Sequence, residues 1–326
     1  MTTLLTHVEL VDETLTRLST EALTLARGLA ASHGAELHAA VVGHPNDACV
    51  ERLGALGVTT LHIATGPSFD AYAPVAWARF LTGVIDDVGA IAGVGPGSDR
   101  GAEVMAHVAA ALDLPLAANC VAVEPVDGGW SLTRLRWGGV LLEDAVLEAD
   151  RALLTVAAHQ LTTSDADVPA VVEVRPIEVA VDDDALVTRV LDTTARSAGM
   201  SLATAPVVVS GGRGVGSAEA FAVLEELAEL VGGAVGCSRV ATNNGWRSHS
   251  DQVGQTGTRV APDLYIACGI SGATQHWVGC MASKRILAIN TDVEAPMVTR
   301  ADHAVIGDLH EILPAVVAEI RARRGA

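Results

Sequence analysis

At 326 residues, with 50% hydrophobic but only 3% aromatic residues, the chain exceeds what one core usually serves; its alanine, valine and leucine suit parallel sheets under helices better than an aromatic-rich β-sandwich. Thirty-nine acidic against 21 basic residues leave a net charge of −18, a surface that repels nucleic acid and anionic lipid and argues against both as partners. Five scattered cysteines at 49, 120, 237, 268 and 280 show no CxxC spacing, so they read as small buried apolar residues in a reducing compartment, and no metal site is expected.

The N-terminus Met-Thr-Thr-Leu-Leu-Thr-His lacks the features of a signal peptide, and no apolar run reaches membrane-spanning length, which points to the cytoplasm. Residues 4–11 read as a strand. A helix follows with Leu15, Leu18, Ala22, Leu25, Ala26 and Leu29 on one face, capped by Asp12 or Thr14 and ended by Gly34. Segments 37–43, 47–56 and 59–64 then read as strand, helix and strand, a βαβαβ rhythm that implies a doubly wound parallel sheet. A helix over 71–88, interrupted early by Pro74, precedes a strand at 90–95. The turn Gly95-Pro-Gly97-Ser-Asp-Arg-Gly101 leads into a helix ending at Leu112; Pro96 removes a backbone donor, so a plain connection is preferred over a phosphate site, with Arg100 at an interface.

From Asn119 the pattern changes to short strands at 120–124, 130–136, 140–142 and 152–157, read as antiparallel additions to the first sheet. Arg134, Arg136 and Trp137 belong on an edge facing solvent or a partner rather than in a ligand clamp. Another strand covers 171–175, and Asp182-Asp-Asp184 reads as a solvated acidic run. Small polar residues with little periodicity at 192–204 mark the boundary: an N-terminal α/β domain over 1–195, a linker over 196–204, and a second domain over 205–326.

The second domain opens with the apolar run Pro206-Val-Val-Val-Ser210, then Gly211-Gly-Arg-Gly-Val-Gly216, then Phe221, Leu224, Leu227, Ala228 and Val231 at helical spacing. Strand, glycine turn and helix together fit an anion site and a plain strand-to-helix connection equally well, and Arg213 would add a cationic fork to the former. Apolar runs at 234–239, 264–268 and 286–290 read as further parallel strands, so Ser238, Arg239, Gly269, Ser271 and Asn290 converge at the C-terminal edge of the sheet, where ligands bind. No carboxylate lies near 232–240 to hold a nicotinamide ribose, so NAD fits poorly. A flavin ring instead asks for a donor at N5 and a cation or donor near its pyrimidine.

Five motifs in order, Ser210-Gly-Gly-Arg-Gly214, Gly236-Cys-Ser-Arg239, Val253-Gly-Gln-Thr-Gly257, Gly269-Ile-Ser-Gly-Ala-Thr-Gln-His276 and Ala288-Ile-Asn290, resemble the FAD domain of the electron transfer flavoprotein alpha subunit. The resemblance implies a Rossmann-like parallel-sheet domain holding FAD. Arg213 and the backbone of Ser271, Gly272, Ala273, Thr274 and Gln275 would hold the pyrophosphate or nearby flavin atoms. Thr256, in a loop with Val253, Gly254 and Gln255, would bond N5, with His276 beside O2 and Arg239 near the ring. Ser238, Gln255, Gly269, Asn290, Asp308 and Leu309 are implied as further contacts, Asn290 and Asp308 toward the adenosine half. Asp308 has an equal claim to cap a last helix from Leu309. The family further implies a heterodimer with a beta subunit, no substrate turnover, electrons accepted from flavin dehydrogenases such as those of fatty acid oxidation, and delivery to a quinone oxidoreductase or other acceptor. An electron-bifurcating relative, or an FAD- or nucleotide-dependent oxidoreductase, is the alternative. Asn243-Asn-Gly-Trp-Arg247 and Trp277-Val-Gly-Cys280 depart from the family pattern.

Overall fold

The computed structural model describes residues 2–191 and 200–324. Its contacts divide the chain into two compact units, residues 1–194 and 195–326.

The first unit starts with β1 (Thr3–Val8), buried throughout, and a hairpin of β2 (Leu10–Val11) and β3 (Thr14–Leu15). Asp12 and Glu13 occupy the hairpin's tip with φ of 49° and 61°, so neither they nor Thr14 start the first helix. That role falls to Thr16, whose hydroxyl accepts from Ser19 N–H ahead of α1 (Arg17–His33); Gly34 ends α1 in the left-handed conformation. β4 (Glu36–Val42), α2 (Asp47–Ala55), β5 (Thr60–Thr65), α3 (Pro74–Asp87), β6 (Ala90–Gly95) and α4 (Asp99–Leu112) follow. Pro74 stands in the first turn of α3 rather than interrupting it, because the N–H it lacks has no acceptor there.

β7 (Leu116–Val126), β8 (Gly129–Arg136) and β9 (Leu141–Leu147) pair antiparallel as expected, with Arg134 and Arg136 both reaching Glu143 across the β8–β9 ladder. β10 (Ala152–Val156) does not join them. It runs parallel between β6 and β7, and its five consecutive buried residues are what burial on both sheet faces requires. β11 (Glu173–Glu178) closes the far edge beside β5, so the nine strands run in the order β11-β5-β4-β1-β6-β10-β7-β8-β9. The 95–101 turn is a connection whose anion position is already filled by the chain. Ser98 caps α4 at Gly101 N–H and donates to the Glu9 carboxylate, 2.8 Å away. Burial pushes the Glu9 carboxyl up, and Arg100 lies over the Tyr72 ring.

The second unit is a five-stranded, all-parallel sheet of β12 (Val207–Gly211), β13 (Ala234–Cys237), β14 (Leu264–Cys268), β15 (Ile286–Asn290) and β16 (His303–Ile306), in the order β13-β12-β14-β15-β16. Its helices are α5 (Ala222–Val231), α6 (Arg239–Asn243), α7 (Thr274–Cys280), α8 (Pro296–Arg300) and α9 (Leu309–Arg324). β16 is not among the expected strands: its short run Ala304-Val-Ile306 is exposed throughout, and pairing with β15 places it. Of the expected linker, 196–199 lie outside the described residues. Leu202 and Ala205, by contrast, pack with Val208 and Tyr265 in the core of this unit. Among the described residues no helix is long and apolar enough to cross a membrane, and all five cysteines are free, buried thiols.

Candidate functional site

Strand order reverses at β12: the chain goes from β12 out to β13, then back across to β14 on the other side. At such a reversal the connections leave in opposite directions and open a crevice beyond the strand C-termini. Here it has a volume of about 570 Å³ and draws residues from the C-terminal end of every strand. β12 sends Arg213, β13 sends Ser238 and Arg239, and β14 sends Gly269, Ser271, Ala273, Gln275 and His276. Asn290 comes from β15, and Asp308 and Leu309 follow β16.

The glycine turn after β12 does not run straight into a helix. Short 3-10 turns at Arg213–Val215 and Glu219–Phe221 separate it from α5, so the helix N-terminus is not part of the crevice. The glycines serve close approach instead. A Cβ on Gly214 would stand 2.8 Å from the Gly269 Cα, and one on Gly269 would stand 2.7 Å from the Gly214 Cα. Gly214 N–H also donates to Gly269 C=O at 3.0 Å, joining the first and third loops back to back.

Three features mark the crevice as a place for an anionic, hydrogen-bonding ligand. Arg213 and Arg239 are exposed in it, and among the described residues neither guanidinium forms an ion pair. The Ser238 hydroxyl is buried and has no partner among the described residues, although Ser238 stands at the N-cap of α6, where its side chain would ordinarily bond backbone. Finally, the N–H groups of Ser271, Gly272 and Ala273 donate to no acceptor among the described residues, which leaves a run of backbone donors beside the two cations.

His276 is 8% exposed, and burial pulls its imidazole down to about 4, with the Val253 carbonyl opposing the shift. It therefore enters the site as a neutral ring. Asn290 lines the crevice with its amide already engaged: Nδ2 donates to Ile270 C=O at 3.0 Å and Oδ1 accepts from Asp292 N–H at 3.1 Å. Asp308 also lines it, while its Oδ1 accepts from His310 N–H at 2.9 Å at the start of α9.

Six of the expected residues are not in the lining. Gly272 is buried, with φ of 79° and the Met297 backbone where a Cβ would go, and Thr274 opens α7 facing solvent. Val253, Gly254, Gln255 and Thr256 form a neighbouring turn, tied to the crevice where Gln255 N–H donates to Gln275 C=O at 2.7 Å. The turn is held from behind by the buried Gln252, which donates to Thr256 Oγ1 and accepts from Thr242 Oγ1, both at 2.9 Å. Thr256 is exposed at its tip, with its own hydroxyl proton uncommitted. Sequence reasoning missed Gln252 and the buried pair Tyr265 and Ser210 behind His276; all three sit in apolar or motif-flanking runs where nothing distinguishes them from core.

Residues 4–182 match the family described as the electron transfer flavoprotein domain, and residues 201–281 match the electron transfer flavoprotein FAD-binding domain. The chain is 35% identical over 330 residues to electron transfer flavoprotein subunit alpha of Mycobacterium leprae, covering 98% of each chain. It is 32% identical over 314 residues to the protein of that name from Bacillus subtilis, covering 96% of this chain and 95% of the relative. Protein FixB of Clostridium saccharobutylicum is 38% identical over 225 residues, 68% of this chain and 67% of the relative. With two matched family regions, relatives aligned nearly end to end, and a crevice supplied with cations and free donors, the chain belongs to the electron transfer flavoprotein family, and its cofactor is FAD.

Proposed function

We propose that the chain is the FAD-binding alpha subunit of a cytoplasmic heterodimer. It pairs with a beta subunit, accepts electrons from flavin dehydrogenases and passes them to a quinone oxidoreductase or a similar acceptor, without turning over a substrate of its own. Residues 205–326, with Leu202 packed into their core, form the FAD domain, and 1–195 the platform for the beta subunit. The observation that carries this reading is the pair of arginines, Arg213 and Arg239, standing at the C-terminal edge of the second sheet without ion-pair partners among the described residues. Two such cations facing solvent with no carboxylate partner suit a ligand that brings its own negative charge.

FAD supplies the redox chemistry, since its isoalloxazine ring takes up and releases electrons. The chain's residues hold and tune it. Arg213 and the free N–H groups of Ser271, Gly272 and Ala273 would receive the pyrophosphate. The Ser238 hydroxyl, buried with no partner among the described residues, would be satisfied by the ligand, and Arg239 would supply positive charge beside the ring. Thr256 would offer its hydroxyl to the ring from the adjoining turn, and His276 would contribute a neutral donor. Gly269 and Leu309 shape the floor. Asn290 and Asp308 hold the loops on the adenosine side, their polar atoms mostly spent on backbone. Absence of turnover is supported by the two crevice carboxylates: Asp308 caps α9, and Asp292 accepts from Glu294 N–H, so neither is paired for acid–base work.

The test is anaerobic. The chain, co-purified with its beta subunit, should elute as a one-to-one complex whose flavin band bleaches when a flavin dehydrogenase and its substrate are added. A complex that oxidises that substrate unaided, or whose flavin no dehydrogenase reduces, would contradict the reading.

A further inference from the structure

Tyr265 stands on β14 with no solvent exposure, and its hydroxyl lies 2.8 Å from Nε2 of His276. The fully buried Ser210 hydroxyl of β12 makes no hydrogen bond among the described residues, so the phenol oxygen has His276 as its one partner there. On the other side of the imidazole, the buried Nδ1 makes no hydrogen bond among the described residues. The Val253 carbonyl, which also influences the ring, can only accept.

Proton counting then decides the direction of the Tyr265–His276 bond. Burial keeps the imidazole neutral, so it carries one proton on one nitrogen. A buried phenol O–H must find an acceptor, and the one group within hydrogen-bond distance of it among the described residues is Nε2 of His276. The imidazole proton is left on Nδ1.

We propose that Tyr265 is a positioning residue of the electron-transfer site: by donating to Nε2 it holds His276 as the Nδ1–H tautomer, a hydrogen-bond donor to the flavin that brings no charge. The proposal rests on His276 being a contact of FAD. It separates two jobs in the crevice. The exposed arginines supply charge, which salt screens, whereas His276 supplies a fixed dipole whose direction is set from the core and is independent of ionic strength.

The experiment labels histidine with 15N in the full chain, with and without FAD, and assigns His276 by comparison with His276→Gln. Between about pH 5.5 and 8, the wild-type ring should show a protonated Nδ1 and a bare Nε2. Tyr265→Phe should lose that preference, lower the flavin's midpoint potential, and add a break to its pH dependence as the ring becomes easier to protonate. In the His276→Gln background, Tyr265→Phe should move the potential no further, which a general packing defect would not respect. A wild-type ring protonated at Nε2 would overturn the proposal. So would a folded Tyr265→Phe protein with unchanged tautomer and potential. Should that variant fail to fold, the wild-type spectrum alone decides the tautomer. A chain that binds no FAD would sink the flavin reading, and the spectrum of the flavin-free chain would still show whether Tyr265 sets the imidazole.

Discussion

Replacing Gly214 by alanine tests whether the two loops that frame the crevice truly stand back to back. The added Cβ would lie 2.8 Å from the Gly269 Cα, 3.2 Å from its carbonyl oxygen and 3.4 Å from Leu309 Cδ2, against 3.4–4 Å for ordinary contact. Two of those three neighbours are backbone, so neither can turn aside. The first and third loops must part by about half an ångström, and overpacking of this kind costs about 1–3 kcal/mol. The loops that move carry Arg213 on one side and Ser271 on the other, so FAD should weaken along with the fold, by roughly 5- to 150-fold if the full strain is felt on binding. Urea unfolding and a flavin titration of the same preparation measure the two quantities. Gly28→Ala is the control: a Cβ there meets nothing within 4 Å, and alanine in an exposed helix should stabilise by about 0.5–1 kcal/mol. If Gly214→Ala unfolds at the wild-type urea concentration and binds FAD as tightly, the loops do not touch and the reason given for this glycine is wrong.

His7, on β1, is 2% exposed with neither ring nitrogen hydrogen-bonded among the described residues, and burial pulls it down to about 4. The folded state refuses a proton that the unfolded chain takes up, so its contribution is present above the ordinary value of 6.5 and lost as the pH falls toward 4. His7→Leu should therefore flatten the stability profile in that window by about 1.4 kcal/mol per pH unit, read by urea unfolding at a series of pH values; an unchanged slope would mean that His7 is charged or solvated. Arg239→Ala should lower the midpoint potential of the bound flavin by on the order of tens of millivolts, since the side chain is exposed and screened, while leaving flavin content near wild type. An unmoved potential in a flavin-replete variant would take Arg239 away from the ring.

What could be read from residues alone was the local part of the fold and the convergence of the site. In a parallel sheet each short apolar run ends at the same edge, so Arg213, Ser238, Gly269 and Asn290 were bound to meet once their runs were strands. Long-range pairing was not readable. Ala152–Val156 is an apolar run like its neighbours, and nothing local says that it inserts between β6 and β7 instead of extending the antiparallel edge. β16 is legible only from its partner. The glycines after β12 looked like a phosphate cradle leading into a helix, whereas the contact that demands them comes from a loop more than fifty residues later. Tyr265 shows the same limit from inside: within Leu264-Tyr-Ile-Ala-Cys268 it is one more core residue until His276 is placed against it.

The central claim is that FAD occupies the crevice at the C-terminal edge of the second sheet. Flavin content, taken from the visible absorption of protein reconstituted with FAD, tests it when wild type is set beside Ser271→Trp, whose indole would fill the crevice from an exposed position on its wall. The expected result is one FAD per wild-type chain and almost none in Ser271→Trp, with the circular dichroism of the two unchanged. A colourless wild-type protein, or a folded Ser271→Trp variant that holds its full complement of flavin, would contradict the claim.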